Sequence, residues 1–327
     1  MDLQPIDDTN DDCPEYGGPD VGIPPDFRAG IASTSTAMPK TWHCFPWIKE
    51  KLWPITTGKG IKVTVLDTGY NKHDYGPEPI AARSFVRGES WADGHAHGSH
   101  CIGTVLCRRD ENGDSIGMAP DADLIVGKVL SNSGSGGSDG ITQGIIWAVD
   151  QGADVISMSL GSGSSYGPTN EAIDYAWSKG CITVCAAGND GYRGANTINW
   201  PGKYQNAICV GSYSKNGQIS SFSSGGREID VACPGEEITS FHRDGKRMQL
   251  MSGTSMATPG MGGRTALLES LRRAQGLPVF RSAEEFLEYC RGVLVDAGEP
   301  GFDVRFGLGI PEFDFVLKAL ILGLTGA

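Results

Sequence analysis

Four polar residues in this chain stand where apolar runs stop, and their types suit one reaction. Asp67 closes Val65-Leu66-Asp67, His97 opens His97-Gly98-Ser99-His100, Asn189 follows Cys185-Ala186-Ala187-Gly188, and Ser255 lies in Gly253-Thr254-Ser255-Met256-Ala257-Thr258-Pro259. A serine hydroxyl is a weak nucleophile at neutral pH. It needs an imidazole to take its proton, and the imidazole needs a carboxylate to fix its tautomer. Ser255 precedes a helical run, so its N–H and the helix N-terminus face a developing oxyanion, and the Asn189 amide supplies a second donor. Singly, each residue has an ordinary reading: a turn aspartate, a helix-capping serine, a left-handed asparagine. His95-Ala96-His97 with His100 also reads as a metal-ligand cluster, which keeps a metal-dependent hydrolase open as an alternative.

Positioning such residues takes a sheet. Runs at 61–66, 124–130, 155–160, 182–186, 207–210 and 229–232 read as strands, while 140–152, 170–179 and the stretch from Ser255 carry apolar residues at helical spacing. Continuous apolar strands alternating with helices predict a mostly parallel α/β sheet covered on both faces, with ligands outside the carboxyl ends of the strands. Residues 1–38 differ: Asp7, Asp8, Asp11, Asp12 and Glu15 come early, followed by Gly-Gly-Pro, Pro24-Pro25 and a Ser/Thr run. They read as an acidic N-terminal extension with little core of its own, leaving 39–327 as the main domain.

The formal charge of −12 gives a field that repels phosphate backbones and anionic lipid, so neither nucleic acid nor a membrane is an expected partner. Met1 to Asn10 lack the basic and apolar regions of a secretory signal, and the apolar stretches fall short of the roughly 20 residues of a membrane span. Nine cysteines without a framework spacing read as reduced thiols, and the expectation is a cytoplasmic protein.

The blocks Asp67-Thr68-Gly69, His97-Gly98-Ser99-His100, Ala187-Gly188-Asn189 and Gly253-Thr254-Ser255-Met256-Ala257, in that order, resemble the subtilisin family of serine proteases. Ile116-Gly117-Met118-Ala119-Pro120, Trp200-Pro201-Gly202-Lys203-Tyr204 and Phe306-Gly307-Leu308-Gly309-Ile310 extend the likeness to most of the chain. The resemblance implies a three-layer subtilisin-like domain and a serine endopeptidase. Asp67 would be the orienter, His97 the base, Ser255 the nucleophile and Asn189 the oxyanion donor. A polypeptide substrate would pair as a strand between Gly134-Ser135-Gly136 and Ser159-Leu160-Gly161, with an S1 pocket walled in part by Ala187 and Gly188. Asn199 stands where a small residue often floors that pocket, Ser138 where an aromatic often covers S4, and Gly260 where a His is usual. Family members often hold a structural calcium in the 108–114 loop, here implied at Asp74, Asp110 and Asn112. The character is closest to the intracellular branch, in which a short extension covers the active site until it is removed, here expected between about Phe27 and Pro39. A catalytically silent binding module that keeps the groove is the remaining alternative.

Overall fold

Strands buried on both faces are apolar on both faces, and every residue of Val155–Met158, Ile182–Ala186 and Ile208–Tyr213 is buried. The computed structural model describes residues 18–23, 28–31, 38–39, 41–44, 47–312 and 314–325. In chain order the strands are β1 (Asp20–Gly22), β2 (Arg28–Ile31), β3 (Lys62–Asp67), β4 (Pro79–Ser84), β5 (Asp123–Lys128), β6 (Ser135–Gly137), β7 (Val155–Met158), β8 (Ile182–Ala186), β9 (Ile208–Tyr213), β10 (Val231–Pro234), β11 (Ile238–Phe241) and β12 (Met248–Ser252). The helices are α1 (His97–Leu106), α2 (Ser138–Asp150), α3 (Gly167–Ser178), α4 (Thr254–Ala274), α5 (Ala283–Arg291) and α6 (Phe315–Thr325).

Seven strands form one parallel sheet in the order β10-β9-β8-β7-β3-β5-β4. From β3 the chain builds outward to β5 and β4, then returns to add β7, β8, β9 and β10 on the other side, so the topological switch lies beside β3. Helices α1 and α4 pack together on one face, and α2 and α3 pack together on the other. The three-layer α/β reading therefore holds. A small antiparallel sheet, β11-β12-β2, leads into α4, and β1 pairs antiparallel with β6.

Two expected strands end early for a local reason. The run 124–130 stops at Lys128 because the N–H groups of Val129 and Leu130 both turn to the Asp67 carbonyl, at 2.9 and 3.1 Å. The run 155–160 stops at Met158, after which Ser159 turns toward Ser255. Most of the 1–38 extension, and with it residues 27 and 32–37 of the expected cleavage region, lies outside the described residues.

Candidate active site

The last residue of β3 and the first of α1 meet in the core. His97 Nδ1 lies 2.8 Å from Asp67 Oδ1 and 2.9 Å from Oδ2, and both side chains are buried. Glycine makes the approach possible: a Cβ on Gly98 would stand 2.3 Å from the Gly69 carbonyl oxygen, and one on Gly69 would stand 2.3 Å from that of Trp91. The N-cap of α1, Ala96, offers no side-chain acceptor, and Asp93 supplies it instead. Its carboxylate accepts the Ser99 N–H and hydroxyl, the His95 and Ala96 N–H groups, and the Thr68 hydroxyl, while Thr68 Oγ1 accepts the Gly98 N–H. Burial opposes the charged form of His97, but the Asp67 carboxylate, with help from Cys101, outweighs it and holds the imidazole well above its ordinary value of 6.5.

Ser255 sits in the first turn of α4, and Pro259 shapes its surroundings. Proline has no N–H for the carbonyl four residues back, which here is that of Ser255. That carbonyl instead accepts from the Ser159 hydroxyl at 2.8 Å and from the Cys101 thiol at 3.5 Å. In return Ser255 Oγ lies 3.4 Å from the Ser159 carbonyl oxygen. Three residues past the end of β8, Asn189 Oδ1 accepts both the N–H and the hydroxyl of Thr254, each at 2.9 Å. Its Nδ2 is buried and has no hydrogen-bond partner among the described residues, and a Cβ on Gly253 would be 3.2 Å from it. An amide anchored through its oxygen, with its N–H groups left unused, is a pre-oriented donor.

The two expected substrate edges flank a groove that β1 enters. Val21 aligns with Gly136, the Ile23 N–H donates to the Gly134 carbonyl at 3.0 Å, and Gly22 exchanges both backbone bonds with Gly161 at 3.0 and 3.1 Å. The Val21 side chain is buried and, with Ile141, Tyr166, Trp200 and Tyr204, lines a small cavity at this end of the groove. Ser138 does not leave this end bare, since its hydroxyl donates to the Pro19 carbonyl at 2.7 Å. Asn199 lies between the walls at Gly161 and Gly188, where added Cβ atoms would come within 3.0 Å of its Cβ and 2.5 Å of its Nδ2. Its Nδ2 donates to Asp190 at 2.6 Å and to the Thr197 carbonyl at 3.1 Å.

Residues 58–309 match the model of the subtilase family of peptidases. The chain belongs to the subtilase family. It is 40% identical over 232 residues to an intracellular serine protease of Paenibacillus polymyxa, covering 68% of this chain and 71% of that one. It is 41% identical to thermitase of Thermoactinomyces vulgaris, over 68% of this chain and 79% of the other, and 41% identical to subtilisin DY of Bacillus licheniformis, over 65% and 78%. This subtilase is accordingly a serine-type endopeptidase, and no described helix is long and apolar enough to cross a membrane.

Subtilases commonly bind calcium, but the residues singled out here do not fit one. The ammonium of Lys49 donates to the Asn112 carbonyl at 2.9 Å and to Asp114 at 2.7 Å, so a divalent cation would compete with a positive charge already on these oxygens. Asp110 Oδ1 is occupied by the N–H groups of Asn112 and Asp114, and the Asp74 N–H donates to the Gly245 carbonyl. Of the expected set, the Asn112 carbonyl is the oxygen that Lys49 takes, and Asp110 Oδ1 is turned to backbone N–H groups.

The metallohydrolase alternative fails on geometry as well. His100 Nε2 is bonded to the Ile238 carbonyl at 2.9 Å, and the one cluster of three potential metal ligands among the described residues is Asp67, His97 and Cys101, without His95 or His100. His73, in the loop between β3 and β4, is buried and stacks on Phe241 with ring centroids 4.2 Å apart. Nothing in the structure explains glycine at 260: a Cβ there would make only an ordinary contact with Arg264 Nη1 at 3.6 Å, and the buried Arg264 guanidinium donates to the Gly260 backbone carbonyl. The role of Asp93 and the bond from the Ser159 hydroxyl to the Ser255 carbonyl were not anticipated. Only the helix cap had a signal, an acidic residue just ahead of α1.

Proposed function

We propose that this subtilase hydrolyses polypeptides through an acyl-enzyme formed on Ser255. Asp67 accepts a hydrogen bond from the Nδ1–H of His97 and fixes its tautomer. His97 Nε2 removes the Ser255 hydroxyl proton as Oγ attacks the scissile carbonyl, and then returns it to the leaving amine. Asn189 Nδ2 and the N–H at the start of α4 receive the oxyanion. Strand pairing on the edges at Gly134–Gly136 and Ser159–Gly161 reads the main chain rather than side chains, which suits broad specificity, with Ala187, Gly188 and Asn199 bounding S1. The observation that carries the reading is the buried Asn189 amide, anchored at its oxygen and unsatisfied at its nitrogen next to Ser255.

The same reading makes residues 1–38 an inhibitory extension and 39–327 the catalytic domain. Its support is that Asp20–Ile23 lie against both substrate edges, with the Val21 side chain buried. An intracellular setting is supported by the similarity to an intracellular serine protease and by the eight described cysteines, all unpaired.

The test is casein cleavage by the full chain, its Ser255→Ala variant and a version starting at Pro39, with intact masses followed throughout. Cleavage by the wild type and not by Ser255→Ala supports the mechanism, and loss of the first residues in the wild type alone adds self-processing. A Pro39 version no faster than the uncut chain removes the inhibitory role. Silence of every form leaves a binding module that keeps the groove.

A further inference from the structure

Lys128 ends β5 directly beside Asp67 in the parallel register, and its side chain is completely buried. A buried ammonium is tolerated when each N–H finds an acceptor. All three do: the Thr68 carbonyl at 2.5 Å, Asn132 Oδ1 at 2.9 Å and Glu89 Oε2 at 3.2 Å. The proton transfer between Ser255 and His97, oriented by Asp67, does not call on this group.

Its acceptors belong to three different working parts. The Thr68 carbonyl follows Asp67 immediately. Asn132 Oδ1 also accepts the Gly94 N–H at 2.9 Å, in the loop that leads into α1 and His97, and the contact is so close that a Cβ on Gly94 would stand 2.3 Å from Asn132 Cγ. The Asn132 N–H donates to Glu89 at 2.9 Å, which closes the cluster. Two residues further on, the Gly134 carbonyl is the acceptor for an extended chain in the groove, and the turn that carries it is closed by Gly134 N–H to the Ser131 carbonyl at 2.9 Å. The pairing edge therefore hangs from Asn132, and Asn132 is fastened to the loops of both the orienter and the base.

We infer that Lys128, Glu89 and Asn132 are positioning residues that hold the substrate-pairing edge in register with the Asp67–His97 pair, so that binding beyond P1 is converted into rate. The inference rests on the protease reading above. A scissile carbonyl presented out of register reacts slowly however well the chain is bound. A substrate too short to reach the edge does not notice the cluster's loss.

The experiment compares a blocked tetrapeptide anilide with a blocked single-residue ester of the same P1, on the full chain and on Asn132→Ala, Glu89→Gln and Lys128→Met. Asn132 is exposed, and the melting temperature of its variant reports whether it folds. We expect Asn132→Ala and Glu89→Gln to lose about ten-fold on the tetrapeptide, chiefly in kcat, and less than about two-fold on the ester. Lys128→Met loses activity on both, because the Thr68 carbonyl also loses its donor, and its melting temperature reports whether it folds. Equal losses on both substrates in Asn132→Ala and Glu89→Gln, or unchanged tetrapeptide hydrolysis, would overturn the proposal whatever Lys128→Met does. A wild type that hydrolyses neither substrate, both as the full chain and as the version starting at Pro39, overturns the protease reading, and this proposal with it.

Discussion

The catalytic cleft and the 108–114 loop were both expected to gather charged and polar groups, and they resolved differently. In the cleft, a carboxylate from a strand end meets an imidazole from a helix start, and an amide meets the turn that carries the serine. In the loop, the oxygens meet a lysine from another part of the chain. A reaction needs particular atoms with particular proton affinities, so residue type and chain order mark the cleft closely. A structural charge needs only a sign and a distance. An ammonium meets that need as well as a divalent ion does, and no motif distinguishes the two.

The contrast is easiest to break at the cleft. Ser255→Ala should abolish both peptide hydrolysis and labelling by a fluorophosphonate, while circular dichroism and melting temperature stay near wild type. Asp67→Asn should lower kcat by about 10⁴-fold, because the amide presents a donor to Nδ1 and favours the wrong tautomer. Asn189→Ala should lower kcat about 10²–10³-fold with KM little changed, the range known for loss of the corresponding donor in subtilisin itself.

Smaller effects sharpen the comparison. His97 must be neutral to act as a base, and Asp67 raises its proton affinity despite burial, so kcat/KM should fall on acidification with a midpoint above pH 6.5. At the loop, Lys49 and Asp114 are both partly exposed, and Lys49→Met should lower the melting temperature by only about 1–2 °C. Added calcium should then raise the melting temperature of the variant and not that of the wild type. A wild type that responds as strongly would return the loop to a cation.

What was legible followed the periodicity and the motifs. Strands such as Ile182–Ala186 are apolar at every position and declare themselves, as do Asp67, His97, Asn189 and Ser255 in their blocks. What was not legible depended on contacts between distant segments. β4 begins with a proline and carries Arg83, and β11 and β12 are short and mixed, so their pairing rather than their composition defines them. His73 is a loop residue whose burial follows only once Phe241 is folded over it. Lys49 lies more than sixty positions from the oxygens it neutralises, a pairing no local pattern encodes.

The helix that carries Ser255 also decides how the enzyme fails. α4 is buried along most of its length and packs on β7, β8, β9 and β10, whereas β1 and β6 are a three-residue pair at the rim. Amide hydrogens in the first turn of α4 should exchange only when the whole molecule opens, while those of β1 exchange through a local opening that leaves the rest intact. The groove is thus uncovered cheaply and often, yet the nucleophile is never displaced on its own, and heat should extinguish activity and fold at the same temperature.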